Sequence, residues 1–286
     1  MRCHICKSND VRKLFHKKGK DQKIYQIIQC KKCKVVQVYP QPHETESLYG
    51  EEYFFQRTDR GYNHYPSKEM YDKLVRVWWL NLLDLGFFKE EKRIFQNFAT
   101  PRLLEIGSAS GHFLYYMKNR NWSVKGIEIS KPMVELASSI YHLDVIHKDF
   151  LLWEPDLDEK YHCIVLWATI EHFRDPLLAF RKIYSLLESS GIMIFSTCRW
   201  GLIAKFSRDR WRFMNVPEHL FFFHEKTLIP LLRSIGFQFM SKITYGSGLT
   251  AKNDSIWSYR VKKRIFDYLA KKLYQGDMLA MMLKKP

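Results

Sequence analysis

The chain has 286 residues, of which 46% are hydrophobic and 27% are charged, and its formal net charge is +16. This length suits one large core together with a small module. The sequence contains no repeat or low-complexity tract, and the lack of an 18-residue apolar run excludes a transmembrane helix. The first 20 residues are rich in charge, so no signal segment is expected and a cytoplasmic location is predicted.

The positive charge is concentrated at the two ends of the chain. Residues 1–40 hold 11 Lys and Arg against 2 Asp and Glu, a balance of +9. Residues 251–286 hold 9 against 3, a balance of +6, which leaves +1 for the 210 residues between them. The basic ends are therefore the parts expected to attract phosphate-bearing lipid, a nucleotide-sugar or nucleic acid.

Two Cys-x-x-Cys pairs stand near the start of the chain, Cys3 with Cys6 and Cys30 with Cys33. Four thiolates at this spacing suit one tetrahedral zinc ion, and residues 23–29 predict a strand that leads into the second pair, as in a zinc ribbon. Because four thiolates fill the coordination of zinc, a structural role is expected. Redox-active thiols are the competing interpretation. Residues 1–42 are assigned to this module, which ends where prolines punctuate the chain.

A helix is predicted from Ser67 onward. Its apolar residues at helical spacing are Met70, Leu74, Val77, Trp78 and Leu82, and this stripe is expected to pack beside a sheet. Residues 43–69 form a connecting segment that is rich in aromatic and polar side chains and predicts no regular element.

Residues 102–128 carry the most informative pattern. An apolar run reaches Glu105, a turn bounded by Gly107 and Gly111 follows, and after a helical pattern a second apolar run ends at Glu128. A strand, a tight loop, a helix and a second strand predict half of a nucleotide-binding α/β fold, whose ligands lie beyond the carboxyl ends of the strands. Glycines let the backbone approach a ligand, and the second acid can reach ribose hydroxyls. The loop lacks the G-x-G-x-x-G spacing of a dinucleotide site.

Further strands and helices alternate along the chain. Residues 142–150 predict a third strand and its loop, and residues 161–197 predict a fourth strand, a helix and a fifth strand. Asp175 followed by Pro176 is typical of a helix start, and Gly191 is expected to end that helix. Residues 278–283 predict the final strand.

The turn E-I-G-S-A-S-G, residues 105–111, resembles motif I of class I S-adenosylmethionine-dependent methyltransferases, with Ala109 in place of the middle glycine. The P-E-H-L segment at 211–228 and the pair Glu171-His172 resemble a subgroup related to ubiquinone-type and sugar methyltransferases, many of which carry a zinc ribbon in front. The resemblance covers roughly residues 70–286. It implies a Rossmann-like seven-stranded sheet whose last strand runs antiparallel between strands five and six. An ordinary strand-turn-helix with two glycines is the alternative.

The same resemblance implies which residues bind S-adenosylmethionine. The acid that ends the second strand accepts from ribose, and Asp149 accepts from the adenine amino group. The implied cofactor-binding residues are Glu105, Gly107, Ser108, Ala109, Gly111, Glu128, Ile129, Asp149, Phe150 and Trp167. In related proteins the segment ahead of the core covers the pocket. Its candidate pocket walls here are Tyr49, Tyr53, Phe54 and Tyr62, with simple packing of the module against the body as the alternative.

Methyl transfer from a sulfonium is an in-line displacement, so the protein must mainly align the nucleophile, the methyl carbon and the sulfur. A hydroxyl or an acidic C–H nucleophile also needs a base, for which histidine is well suited near neutral pH. His172, directly after the fourth strand, and His219 in the P-E-H-L segment are the candidates, while Glu171 is expected to orient a neighbour. For His172 the alternative is a hydrogen bond that holds the loop. His224 is a third candidate and is typical of a helix start.

The C-terminal charge lies mostly on a helix predicted over about residues 254–274. Its apolar stripe consists of Trp257, Val261, Ile265, Leu269 and Leu273. Its other faces carry Arg260, Lys262, Lys263, Arg264, Lys271 and Lys272. Such an amphipathic basic helix either packs on the sheet through its stripe or contacts an anionic membrane surface.

These features predict a cytoplasmic enzyme. If the C-terminal helix contacts an anionic membrane, the enzyme is peripheral to that membrane. It would methylate oxygen or carbon of a sugar, glycolipid or related small acceptor, with S-adenosylmethionine as cofactor and structural zinc. The alternative is an RNA methyltransferase that grips RNA with the zinc ribbon and the basic ends. Against it, the residues after the fourth strand read A-T-I-E-H and not an N-P-P-Y-type loop. A non-catalytic protein that keeps the fold is a third hypothesis.

Overall fold

The computed structural model describes residues 1–42, 46–55, 67–248 and 257–286. Its helices are α1 (Glu51–Phe55), α2 (Lys68–Leu85), α3 (Phe87–Asn97), α4 (His112–Lys118), α5 (Lys131–Tyr141), α6 (Pro176–Leu186), α7 (Leu202–Ser207), α8 (Glu225–Ile235) and α9 (Trp257–Lys272). Its strands are β1 (Val11–Lys18), β2 (Ile24–Cys30), β3 (Val36–Tyr39), β4 (Arg102–Ile106), β5 (Ser123–Glu128), β6 (Val145–His147), β7 (Tyr161–Trp167), β8 (Leu187–Cys198), β9 (Phe221–Phe222), β10 (Gln238–Tyr245) and β11 (Met278–Lys284).

The larger sheet has seven strands in the order β10-β11-β8-β7-β4-β5-β6. The strands from β8 to β6 pair in parallel, whereas β11 runs antiparallel between β8 and β10. This arrangement confirms the predicted fold class. The carboxyl ends of the parallel strands meet at one edge of the sheet, which is where ligands bind in such folds.

Helices cover both faces of this sheet. The core on one face includes Ile106, Phe180 of α6 and Leu228 of α8. The core on the other face includes Trp78 of α2 and Phe113 of α4. Strands covered on both faces read as near-continuous apolar runs, which explains the buried sequence of β7.

Helix α2 begins where the sequence predicts. The Ser67 hydroxyl accepts a hydrogen bond from the Met70 amide at 3.2 Å and so caps the helix. The predicted stripe is buried at Met70, Leu74, Trp78 and Leu82. Val77 is 43% exposed, so its assignment to the packed stripe is wrong. The packed face of α2 follows the other four positions and turns Val77 toward solvent.

The N-terminal module shares its sheet with the body. Its strands form the order β1-β2-β3-β9, and β9 comes from residues 221–222, far along the chain. Val36 of β3 pairs with Phe222 of β9, and both belong to a core cluster that also contains Trp200 and Trp211. The cysteine module is therefore joined to the P-E-H-L segment by strand pairing as well as by side-chain packing.

Two local predictions differ from the structure. Helix α6 ends at Leu186 and extended backbone begins at Leu187, so Gly191 lies inside β8 and does not end the helix. A Cβ at Gly191 would lie 2.9 Å from the Glu188 carbonyl oxygen, so the tight start of β8 is what requires glycine there. Residues 46–55 form a 3-10 turn and α1, where no regular element was predicted. Tyr62 lies outside the described residues.

Helix α9 does not pack through its predicted stripe. Trp257 is 78% exposed and Leu273 is 64% exposed, and the other stripe residues are exposed as well. The helix touches the sheet elsewhere: Ala270 is buried, and its carbonyl accepts a hydrogen bond from the Thr244 hydroxyl of β10 at 3.4 Å. Packing by the stripe is therefore wrong. No helix in the described part of the chain has the length and apolar character to cross a membrane.

Candidate active site

The loop between β4 and α4, residues 107–111, is called the cofactor loop below. Its backbone is left-handed at Gly107 (φ 72°), Ala109 (φ 46°) and Gly111 (φ 77°). A Cβ at Gly107 would lie 2.5 Å from the Thr169 methyl carbon, and Gly111 is equally crowded. Both positions therefore require glycine. A residue other than glycine in this left-handed conformation destabilises the fold by roughly 1–2 kcal/mol. Ala109 adopts it nevertheless, with a side chain of one methyl group.

Glu128 ends β5 and is held by the cofactor loop. Its Oε2 accepts a hydrogen bond from the Ala109 amide at 2.8 Å, and its Oε1 accepts one from the Ser130 amide at 2.9 Å. Burial raises the pKa of Glu128, and these amide hydrogen bonds partly offset the rise. Because each carboxylate oxygen has a second lone pair, both can still accept from ribose hydroxyls.

Glu105 is the second buried acid at this edge. Burial, followed by the nearby charge of Glu128, raises its pKa well above the usual value. Among the described residues its Oε2 has no hydrogen-bond partner. Burial thus disfavours the charged form of Glu105, and a polar ligand atom beside Oε2 would satisfy it.

The remaining predicted cofactor residues surround the same edge. His147 of β6 pairs in register with Glu128, which brings Asp149 beside the end of β5. Asp149 is fixed by the Leu151 amide, which donates to its Oδ1 at 2.8 Å. Of the others, Ser108 and Phe150 are buried, Ile129 is half-buried, and the half-buried Trp167 lies edge-on to Phe113 with ring centroids 5.5 Å apart.

The three predicted catalytic residues converge at the neighbouring part of the edge and are called the acceptor cluster. Glu171 and His172 lie in the 3-10 turn after β7, and His219 lies just before β9. One nitrogen or oxygen from each of the three lies within 4.8 Å of the others. The two imidazole rings meet edge-on with centroids 4.8 Å apart.

Backbone carbonyl groups orient both histidines. Nδ1 of His172 lies 2.9 Å from the carbonyl oxygen of Glu218, and Nδ1 of His219 lies 2.8 Å from that of Phe213. A carbonyl oxygen only accepts, so an Nδ1 that bonds one must carry the proton; Nδ1 of His172 also lies 2.8 Å from the Tyr49 hydroxyl, so its role depends on the ring tautomer. In the neutral ring, Nε2 then carries the lone pair.

Glu171 is 1% exposed and is tied to the end of β8. Burial raises its pKa to about 7, against the lowering effect of nearby backbone amides. The Cys198 amide donates to its Oε1 at 3.4 Å. Among the described residues no partner is found for its Oε2.

Tyr49 is the predicted pocket-wall residue that reaches the acceptor cluster. Its hydroxyl lies 2.8 Å from Nδ1 of His172, and its ring packs edge-on against His172 and Tyr53. Burial raises the pKa of Tyr49 well above its usual value, and the charges of Glu171 and Glu128 contribute further. Tyr49 therefore lies within electrostatic reach of both the acceptor cluster and the cofactor acid.

A buried ion pair beside the site was not predicted. Arg199, directly after β8, donates two hydrogen bonds to Glu225, at 2.9 and 3.0 Å. Burial alone would raise the pKa of Glu225, but Arg199 holds it at about 2. His224 caps α8 by accepting from the Lys226 amide at 3.1 Å, as its helix-start pattern indicates. The two residues are 26 positions apart in the sequence, and their spacing does not predict the ion pair.

The four N-terminal cysteines form one cluster. The Sγ atoms of Cys3 and Cys33 are 3.6 Å apart, and those of Cys6 and Cys30 are 3.4 Å apart. All four Sγ atoms lie within 4.8 Å of one another, and none of the cysteines forms a disulfide. Zinc–sulfur bonds of about 2.3 Å in a tetrahedron imply sulfur separations of about 3.8 Å, so the cluster fits one zinc ion.

A cationic cleft lies between the cysteine module and the body. Its volume is about 510 Å³. Its lining includes Arg12, Lys31, Lys34, Lys205 and Lys226, together with His224 and Trp200. Its lining cations suit an anionic ligand.

Comparison with known proteins gives one family and several distant relatives. Residues 79–242 match a family model described as a methyltransferase domain. A malonyl-[acyl-carrier protein] O-methyltransferase of Bacillus cytotoxicus is 28% identical over 110 residues, which are 37% of this chain and 38% of that protein. The chain thus spans about two fifths of the length of that relative.

Solved structures are similar at lower identity. A "SAM-dependent methyltransferase, possible histamine N-methyltransferase" of Thermotoga maritima is 18% identical, covers 77% of this chain and all of its own, and has a TM-score of 0.48. The N-methyltransferase NodS of Bradyrhizobium japonicum, in complex with S-adenosyl-L-homocysteine, is 15% identical, covers 70% of this chain and 85% of its own, and has a TM-score of 0.46. The match to the family model, and not these TM-scores, assigns the chain to a family.

Proposed function

The chain belongs to the methyltransferase-domain family, and we propose that it transfers the methyl group of S-adenosylmethionine to oxygen or carbon of a sugar, glycolipid or related small acceptor. Family membership confirms the predicted enzyme class. The observation that carries the cofactor assignment is the loop geometry: the Ala109 amide donates to Glu128 across a turn that needs glycine at both ends. In this proposal the ribose hydroxyls of the cofactor bond the remaining lone pairs of that acid.

The reaction needs little covalent chemistry from the protein. The bond between sulfur and methyl carbon breaks with its electron pair going to sulfur, and the acceptor atom forms the new bond to carbon. The acceptor hydroxyl or C–H loses its proton. The acceptor cluster is the proposed proton-handling group, because it lies beside the cofactor edge and holds two histidines whose rings are oriented by backbone carbonyls.

The cationic cleft supports an acceptor that carries phosphate. Lys205 and Lys226 come from the body and Lys31 and Lys34 from the cysteine module, so a ligand in the cleft touches both parts. A nucleotide-sugar or a lipid-linked sugar phosphate has the required anionic group. RNA shares this chemistry and is the second candidate, favoured by the same cleft and by the basic ends of the chain.

Helix α9 supports a lipid-linked acceptor. Its exposed apolar residues include Trp257, Phe266 and Leu273, and its lysines flank them. Lys271 forms an ion pair with Asp84 of α2, a helix that exposes Trp79. Aromatic and aliphatic side chains bordered by lysines suit the interface of an anionic membrane. We propose peripheral contact with such a membrane through α9.

The cysteine cluster is proposed to hold one structural zinc ion. Four thiolates leave no open coordination position for substrate, so zinc would supply folding energy to the module and no chemistry. Elemental analysis of the purified protein is expected to give one equivalent of zinc. A metal-free protein with intact N-terminal structure would contradict the assignment.

One experiment tests the acceptor class. S-adenosylmethionine with a labelled methyl group is incubated with the protein and with separate fractions of glycans, lipids and RNA. Label in the glycan or lipid fraction is expected, and label in RNA alone would select the second candidate. A gel-shift series between about 50 and 200 mM salt checks the RNA arm, since phosphate contacts give affinity that falls steeply with salt.

A further inference from the structure

The acceptor cluster has the composition of a metal site as well as of a proton-handling site. It offers two imidazoles and one carboxylate, and one ligand atom from each lies within 4.8 Å of the others. When each bond is about 2.1 Å long, ligands of one ion lie roughly 3 to 4 Å apart. Small rotations of the three side chains therefore bring them to coordinating distance.

The hydrogen bonds of the two histidines are those that metal-binding imidazoles make. A ligating histidine donates its other ring N–H to a carbonyl or carboxylate, which fixes the tautomer and aims the lone pair at the ion. Nδ1 of His219 lies against the Phe213 carbonyl and donates to it, and Nδ1 of His172 lies against both the Glu218 carbonyl and the Tyr49 hydroxyl. In the tautomer protonated at Nδ1, each ring can coordinate through Nε2.

Glu171 supplies a second, independent observation. Its side chain is 1% exposed, and in the described part of the chain its Oε2 has no hydrogen-bond partner. None of the ion pairs found in the described part of the chain involves Glu171. Burial of a carboxylate oxygen without a partner is costly, and a cation bound to Oε2 beside the two imidazoles would offset that cost.

We propose that Glu171, His172 and His219 bind one divalent first-row metal ion, such as Mn²⁺ or Zn²⁺, on the acceptor side of the cofactor. Two nitrogens and one oxygen suit such ions and leave open positions for water and for the acceptor. An ion held there would make an acceptor hydroxyl more acidic, so the ion would replace the histidine lone pairs in that role and the proton would leave to water. This role rests on the proposed methyl transfer, whereas the metal site itself does not.

A titration with Mn²⁺ followed by electron paramagnetic resonance tests the site on the full, zinc-loaded chain. Manganese prefers oxygen and nitrogen donors and does not compete for four thiolates. One bound Mn²⁺ per chain is expected. His219→Ala and Glu171→Gln are each expected to weaken Mn²⁺ binding by at least about tenfold. Substitutions of residues that only hydrogen-bond to metal ligands already reduce metal affinity by about that factor. His16→Ala, at an exposed histidine on β1, is the matched control and should leave binding unchanged.

The outcomes separate this proposal from the proposed function. Zinc content and titration with S-adenosylhomocysteine on the same samples show whether each variant is folded, and Glu171→Gln keeps the shape of the side chain. Absence of Mn²⁺ binding, or equal affinity in wild type and both variants, would overturn the metal site. If S-adenosylhomocysteine binds but Mn²⁺ does not, only this inference fails. If Mn²⁺ binds but S-adenosylhomocysteine does not, only the proposed function fails.

Discussion

The cofactor loop and the acceptor cluster occupy the same edge of one sheet but are assembled differently. Most of the cofactor side is built from one continuous stretch, since Glu105, the glycines and Glu128 lie within a single strand–loop–helix–strand unit, which Asp149 joins from the loop after β6. The acceptor side draws on Tyr49, on the turn after β7 and on His219, which precedes a strand paired with the cysteine module. The cofactor side should therefore survive damage elsewhere, and the acceptor side should depend on the whole molecule.

Loss of the cysteine cluster should separate the two sides most strongly, because turnover should be lost while cofactor binding remains. A module of about 40 residues is too small to hold a core without metal or disulfide support, so Cys30→Ser is expected to unfold it. Because β3 then no longer pairs with β9, the acceptor side loses its support and turnover falls to background. Affinity for S-adenosylhomocysteine, measured by calorimetry, should stay within a few-fold of wild type. Equal loss of both properties would mean that the two sides are not separable.

Gly107→Arg should remove cofactor binding and leave the cysteine module intact. The new Cβ would meet Thr169 at 2.5 Å in a backbone conformation that side chains rarely adopt, so the cofactor loop must distort. Binding of S-adenosylhomocysteine is expected to disappear, while zinc content stays at one equivalent. Gly50→Arg is the matched control, because a Cβ there meets nothing within 4 Å. Normal binding by Gly107→Arg would remove the cofactor loop from the site.

His172→Ala tests the acceptor side by a single side chain. Turnover is expected to fall about a hundredfold or more, which is the scale of a lost proton-handling group. Affinity for S-adenosylhomocysteine should be nearly unchanged, since the hydrogen bonds found for His172 run to Tyr49 and Glu218 and not to the cofactor loop. A loss of cofactor affinity as large as that of Glu128→Ala would assign His172 a structural role.

Glu128→Ala is expected to weaken S-adenosylhomocysteine binding about tenfold or more, since a hydrogen bond to a charged group is worth roughly 1.5 to 3 kcal/mol. The Ala109 and Ser130 amides also lose their acceptor. Glu128→Gln keeps the shape and removes the charge, so it should fall between Ala and wild type. Calorimetric affinities of the three proteins check the order, and unchanged affinity in Glu128→Ala would contradict the ribose assignment.

The smallest effect is expected at Ala109, which holds a left-handed conformation with φ 46°. Ala109→Gly relieves roughly 1–2 kcal/mol of strain and adds about 0.5–1 kcal/mol of unfolded-state entropy. The free energy of unfolding, from urea titration, should therefore change by about 1 kcal/mol or less, and cofactor affinity should persist. A large loss of either would mean that the methyl group of Ala109 makes a contact that glycine cannot replace.

The difference between the two sides also explains what could be predicted. The cofactor loop follows from residue types at fixed spacing, so the strand ends, the glycines and Glu128 could be located from the sequence. The α/β class followed from the alternation of strands and helices, whereas the seven-stranded sheet with its antiparallel strand followed from the resemblance to class I methyltransferases. Pairing of β3 with β9 could not be predicted, since two residues at 221–222 carry no periodic signal.

Side-chain pairs between distant segments were equally hidden. Arg199 and Glu225 form a buried ion pair that spacing does not reveal, and the bond between Tyr49 and His172 joins residues 123 positions apart. The exposed stripe of α9 failed as a packing prediction for another reason. Periodicity identifies an apolar face but not its partner, and here the sheet takes the side that bears Ala270.

Titration of S-adenosylhomocysteine into the wild-type chain tests the central claim most directly. The account predicts one binding site per chain, preserved in Cys30→Ser and in His172→Ala and lost in Gly107→Arg. Absence of binding to the wild type, or binding that survives in Gly107→Arg, would contradict it.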